Sequence, residues 1–226
     1  MCNNINMTFN KGVFGDMKKK ILFLFAILSM NFAFGIEENL APIDEALLKK
    51  YEKVTTDYNV IRAIEKLENT TGKYSKEAIL GKNLTGRPMK VEFINLGTIN
   101  PIYMNFDALG WKKKKNLYIY INEKHKDAPI EALSAILAHE AIHQDETNSI
   151  NEETYAWTLE AAVWTKLTEE KPELEKISHP LVDRENVIKQ LFVRGNYTSK
   201  YIHNFVITNK GYQNLPERSY GFEELL

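Results

Sequence analysis

The sequence predicts an α+β fold in which a small mixed β-sheet packs on one central helix and the remainder is mainly helical. Three observations predict it. Apolar residues recur at helical spacing over residues 43–68, three short β-rich runs follow between residues 91 and 121, and a helical pattern opens at Pro129.

In the first stretch Ile43, Leu47, Leu48, Tyr51, Val54, Tyr58, Ile61, Ile64 and Leu67 fall on one helical stripe, as one or two helices, until Thr70-Thr71-Gly72 stops the run. Residues 81–89 read as loop, with Gly81, Gly86 and Pro88. The strand candidates are Val91–Ile94, Ile102–Phe106 and Leu117–Ile121, and the Trp111–Lys115 stretch before the last reads as a basic, solvated loop. Pro129 suits a helix start and Glu131 its positive end, so a helix is expected through His143. A break at residues 148–151 precedes a second helix from about Glu152 to Leu167. A third is expected from Arg184 to Val193, and the last thirty residues carry no firm assignment.

Composition narrows the class. The 226 residues are 44% hydrophobic and 26% charged, enough for one ordinary globular core. A net charge of −1 and a pI near 6.5 give no basic excess for nucleic-acid binding. Lys18-Lys19-Lys20, the apolar run Ile21–Phe34 and the small-x-small end Ala33-Phe34-Gly35 have the layout of a secretory signal peptide, and the run is short for a membrane span. The organisation expected is therefore residues 1–16 as a mis-assigned upstream extension with Met17 as the true start, residues 17–35 as signal, and residues 36–226 as one exported domain, secreted or held in the cell envelope of a bacterium. Removing residues 1–35 takes basic residues from 29 to 25 and acidic from 30 to 29, a net charge of about −4. It also takes the sole cysteine, Cys2, so disulfides and thiol chemistry are excluded.

The most informative residues are His139-Glu140-Ala141-Ile142-His143, an H-E-x-x-H. Histidines four apart lie on one helical face, where two neutral imidazoles can hold one Zn²⁺ and the intervening glutamate can act as a base. A catalytic zinc needs a third protein ligand, expected on the next helix. There Glu152 and Glu153 flank the apolar stripe and Glu160 points the same way, so periodicity turns an acid inward without choosing which. Asp145 lies off the histidine face and suits a supporting role. Tyr201, His203, Tyr212 and Tyr220 are candidate donors to a developing oxyanion, unranked. His125 reads as solvated, His179 and His203 as surface or core, and Trp157 and Trp164 as core.

Ala138–His143 followed by Glu153-Thr154-Tyr155-Ala156-Trp157 resembles the Glu-zincin metallopeptidases, over roughly residues 115–166. The resemblance implies a zincin-like fold, with His139, His143 and Glu153 as zinc ligands, Glu140 as general base, and peptide or protein as substrate. It also implies that the strand before the histidine helix, here Leu117–Ile121, pairs with extended substrate. Two other classes stay open: a non-catalytic binding protein on the same scaffold, and a zinc amidase acting on cell-wall peptides.

Overall fold

The computed structural model describes residues 43–223. The expected upstream extension (1–16) and signal peptide (17–35) lie outside the described residues. Within them the architecture is α+β: eight α-helices and a three-stranded mixed sheet. No described helix is long and apolar enough to cross a membrane.

The 43–68 region forms two helices, α1 (Glu45–Tyr51) and α2 (Tyr58–Lys66). Asp44 caps the first through the Leu47 N–H, and Asp57 caps the second through Asn59 and Val60. The stripe of α2 buries Val60, Ile61 and Ile64, each burial contributing roughly 1.5–3 kcal/mol. Helix α3 (Lys73–Ile79) follows.

Strands β1 (Lys90–Ile94), β2 (Ala108–Lys113) and β3 (Asn116–Asn122) form the sheet in the order β1-β3-β2. β1 runs parallel to β3 and β2 antiparallel to it, with Val91 and Gly110 both opposite Ile119. Three sequence expectations are corrected here. Ile102–Phe106 is not a strand: residues Pro101–Asn105 form a 3-10 turn started by the Asn100 side chain and Pro101. The basic stretch Trp111–Lys115 is not a loop, because residues up to Lys113 belong to β2 and only Lys114-Lys115 make the hairpin turn, with Lys114 at φ 58°. And β3, paired on both sides, has no edge to offer a substrate; the edge strands are β1 and β2, of which β2 lies beside the end of the histidine helix.

Helix α4 (Ile130–Glu140) lies against α2, β2 and the long helix α5 (Ile150–Glu170), and Ala132–Ala138 are all buried. α4 stops at Glu140 rather than His143. The Ile142 N–H bonds to His139 and the His143 N–H to Glu140, tightening the last turn from i−4 to i−3. Ala138 O, which Ile142 would otherwise fill, accepts from Ser75 Oγ of α3 at 2.8 Å. Helices α6 (Pro180–Arg194), α7 (Lys200–Thr208) and α8 (Tyr220–Glu223) complete the chain. The main core joins α2, the sheet, α4 and α5 through Ile64, Ile119, Ile136 and Trp164. A smaller one joins α5, α6 and α7 through Trp157, Ile188, Phe192 and Val206.

Candidate metal centre

The end of α4 and the start of α5 meet at one buried point. His139, His143 and Glu153 each offer a ligand atom there, all within 4.8 Å of one another. His139 Nε2 lies 3.6 Å from Glu153 Oε2, and His143 Nε2 lies 3.7 Å from Glu153 Oε1. Tetrahedral ligands about 2.0–2.1 Å from one zinc stand roughly 3.3–3.4 Å apart, so the three donors fit such an ion with small adjustment.

The other ring nitrogens are accounted for by carboxylates. His143 Nδ1 is 2.8 Å from Glu152 Oε1, and His139 Nδ1 is 2.8 Å from Glu160 Oε2. The second approach is close but bent from the line of a straight hydrogen bond. Each carboxylate favours the tautomer with its proton on Nδ1, which leaves both Nε2 lone pairs facing Glu153. Thus the three acids that periodicity leaves undivided take different places: Glu153 joins the cluster, while Glu152 and Glu160 each back one histidine.

Local structure sets these positions. Ser149 caps α5 by accepting from the Glu152 N–H at 3.1 Å. Ser149-Ile150-Asn151-Glu152 reads as a capping box, yet the Glu152 side chain turns to His143 instead of back to the cap. The Ser149 N–H bonds to Asn148 Oδ1, and the Ile150 and Asn151 N–H groups bond to Pro216 and Glu217 carbonyls of the C-terminal segment. Ser219 Oγ donates to Glu152 Oε2 at 2.8 Å. Glu153 is oriented by Asn148 Nδ2 on one oxygen and by Trp157 Nε1 on the other, the latter at 3.1 Å.

Glu140 sits beside the cluster and accepts the Gly110 N–H of β2 at 2.5 Å. That contact explains Gly110: a Cβ there would stand 2.8 Å from His143 Cβ and 2.9 Å from Glu140 O. A glycine inside a strand signals such an approach, but the lysines after it hid the strand.

Negative charge is in excess here. Four glutamates, 140, 152, 153 and 160, surround two histidines, and all four are buried. Burial would lower the His143 pKa, yet Glu153, Glu152 and Glu140 push it up to about 9. Burial lifts Glu140 above the ordinary carboxylate range, helped by Glu153 and Glu160 and opposed by both histidines. A pocket with this balance favours a cation.

Beyond His139, Glu160 is gripped by Arg184 of α6 through Nη1 and, at 3.1 Å, through Nη2. Arg184 also reaches Glu185 at 2.8 Å and Asp107 at 3.4 Å, and lies 4.5 Å over the Trp157 ring. Against its burial, Arg184 and His139 hold Glu160 well below the usual carboxylate range; burial and Glu160 hold Glu185 well above it.

The remaining candidates separate. Tyr212 OH lies 3.1 Å from Trp157 Nε1, and burial, then Glu153, hold its phenol well above the ordinary value, so it stays protonated. Tyr201 lies under Arg194, His203 Nδ1 meets Thr154 Oγ1 at 3.2 Å, and Tyr220 is 79% exposed. Asp145 accepts from the Thr147 N–H and packs on Gly221, outside the cluster. His125 is not solvated but fully buried, its Nε2 2.8 Å from Asp107 Oδ1. Trp164 and Trp157 are both core, and Trp157 also turns its Nε1 to Glu153. No family model, curated protein or solved structure matches the chain.

Proposed function

We propose that the protein is an exported zinc-dependent metallopeptidase of a zincin-like fold that hydrolyses peptide bonds, with His139, His143 and Glu153 as ligands and Glu140 as general base. One observation carries the reading. The two Nε2 atoms face Glu153 at 3.6 and 3.7 Å while Glu140, beside them, is left off the ligand set and held by a single backbone N–H. A purely structural site has no use for that fourth carboxylate.

Zinc held there would supply a Lewis acid toward a water and a peptide carbonyl. Glu140 would take the attacking water's proton and pass it to the leaving amine, and its burial-raised pKa suits a group that must both accept and donate. Tyr212, kept protonated with its hydroxyl 3.1 Å from Trp157 Nε1, would be the donor to developing negative charge on the carbonyl oxygen. The Gly110 N–H points away from β3 to Glu140, so Ala108 and Lys112, of the same parity, also turn their N–H and C=O groups to the outer edge of β2. That edge can receive an extended peptide.

The test is zinc content by elemental analysis, with cleavage of a peptide library. About one zinc per chain is expected, lost in His139→Ala. Glu140→Gln should keep the zinc and lose roughly 10²–10⁴-fold in kcat/KM. Zinc retained with no cleavage by the wild type would favour the binding-protein alternative. Cleavage confined to cell-wall peptides would favour the amidase. No zinc in the folded protein, even after addition, would overturn the reading.

A further inference from the structure

Arg184 is an unusual residue to find beside a candidate metal centre. It comes from α6, is 18% exposed at its side chain, and makes no hydrogen bond or ion pair with His139, His143 or Glu153. Its contacts nevertheless converge on two of the three. Its fork closes on both oxygens of Glu160, whose Oε2 faces His139 Nδ1. Its guanidinium carbon lies 4.5 Å over the Trp157 ring, and Trp157 Nε1 donates to Glu153 Oε2. The same indole stands edge-on to the His139 ring, with centroids 5.2 Å apart.

We propose that Arg184 is the positioning residue of the metal centre, fixing His139 through Glu160 and Glu153 through Trp157. This rests on the zinc reading above and deepens it. A bidentate guanidinium locks the carboxylate plane, and a locked Glu160 locks the imidazole that it faces. The guanidinium over the ring restricts the indole, so the Trp157 N–H stays aimed at Glu153. Lysine can replace the charge but neither the fork nor the flat face. Asp107 and Glu185 hold the guanidinium from its other sides.

The measurement is zinc affinity of the full chain by competition with a chromophoric chelator, beside the melting temperature of the metal-free protein. Arg184→Lys should weaken zinc binding by roughly 10–100-fold, the range for residues that orient metal ligands. Metal-free melting should change less than zinc-bound melting. Glu160→Gln, nearly isosteric, should weaken binding over the same range. Arg194→Lys, on the same helix but stacked on Tyr201, should leave affinity unchanged. A folded Arg184→Lys that binds zinc within twofold of wild type overturns the proposal. So does Glu160→Gln within twofold, whether or not Arg184→Lys folds, because Arg184 would then have no path to His139. A wild type that binds no zinc overturns instead the metallopeptidase reading itself.

Discussion

Gly110→Ala tests the closest approach in the site. The added Cβ would begin 2.8 Å from His143 Cβ, 2.9 Å from Glu140 O and 3.3 Å from His143 Cδ2. Carbon atoms in ordinary contact stand about 3.5–4.0 Å apart, so β2 must retreat by roughly 0.7 Å or more. Two of the obstacles are the backbone carbonyl and the β-carbon at the end of α4, which cannot swing aside as a side-chain tip can. Overpacking of this kind costs about 1–3 kcal/mol. For a chain of this size that corresponds to a melting temperature lower by roughly 2–12 °C. The retreat also stretches the 2.5 Å bond from the Gly110 N–H to Glu140, and a displacement approaching 1 Å at a reacting group can cost about 10²-fold in rate. The assays are thermal unfolding by circular dichroism and turnover of a cleaved peptide, with Gly211→Ala as control, whose new Cβ would meet only Asn209 Oδ1 at 3.3 Å. Gly110→Ala melting within about 1 °C of wild type, with unchanged turnover, would refute the placement of β2 against the histidine helix.

Other outcomes follow from the same structure. Zinc at a hundredfold excess over its dissociation constant should stabilise the chain by about 2.7 kcal/mol, a melting rise of roughly 5–10 °C that a chelator reverses. Ser75→Ala should cost about 1–3 kcal/mol in urea unfolding, because it leaves the buried Ala138 carbonyl without the partner that ends α4. Glu65, although partly buried, is held down to about 2 by hydrogen bonds from Lys50, Lys76 and Tyr51. A depressed carboxylate stabilises fully above its unfolded pKa near 4.5 and stops doing so as pH falls through the folded value. Glu65→Gln should therefore flatten the loss of stability between about pH 4.5 and 2; with its side chain 31% exposed, screening reduces the effect to about 1–2 kcal/mol. Glu140→Gln should melt no lower than wild type in the metal-free state.

What the sequence revealed tracks how local the cause is. The apolar stripe of α2 and the β-branched runs of β1 and β3 act within a turn or a strand, and those elements form as the pattern predicts. The errors lie where a distant partner decides. Ile102–Phe106 has strand-like residues but no strand to pair with, whereas Ala108–Lys113 has lysines yet finds β3 across a two-residue turn. The end of α4 is set by Ser75, 63 residues earlier. At the site, the pairing of His139 with His143 was legible because a four-residue spacing puts both on one helical face, whereas Glu153 was singled out only by the resemblance. The roles of Glu152 and Glu160 were not legible, since both share the inward face with Glu153 and only the crossing of α4 with α5 separates them. Arg184 lies 24 residues beyond Glu160, and Gly110 30 residues before Glu140, so no period links either pair.

The supports around the cluster also bear on why Glu140 stands apart. Glu152, Glu153 and Glu160 each have at least two partners: a histidine, together with Ser219, Trp157 and Asn148, or Arg184 respectively. Such acids repay their burial through charge-assisted contacts, and removing one leaves its partners exposed to the full desolvation cost. Glu140 has one backbone N–H and a pKa pushed up by burial. A side chain with so little to stabilise its charge contributes little to folding, and a neutral amide of the same shape can still accept the Gly110 N–H. A buried acid whose loss should cost the fold nothing fits the role of base proposed for Glu140, held at the expense of stability that an apolar side chain would have supplied.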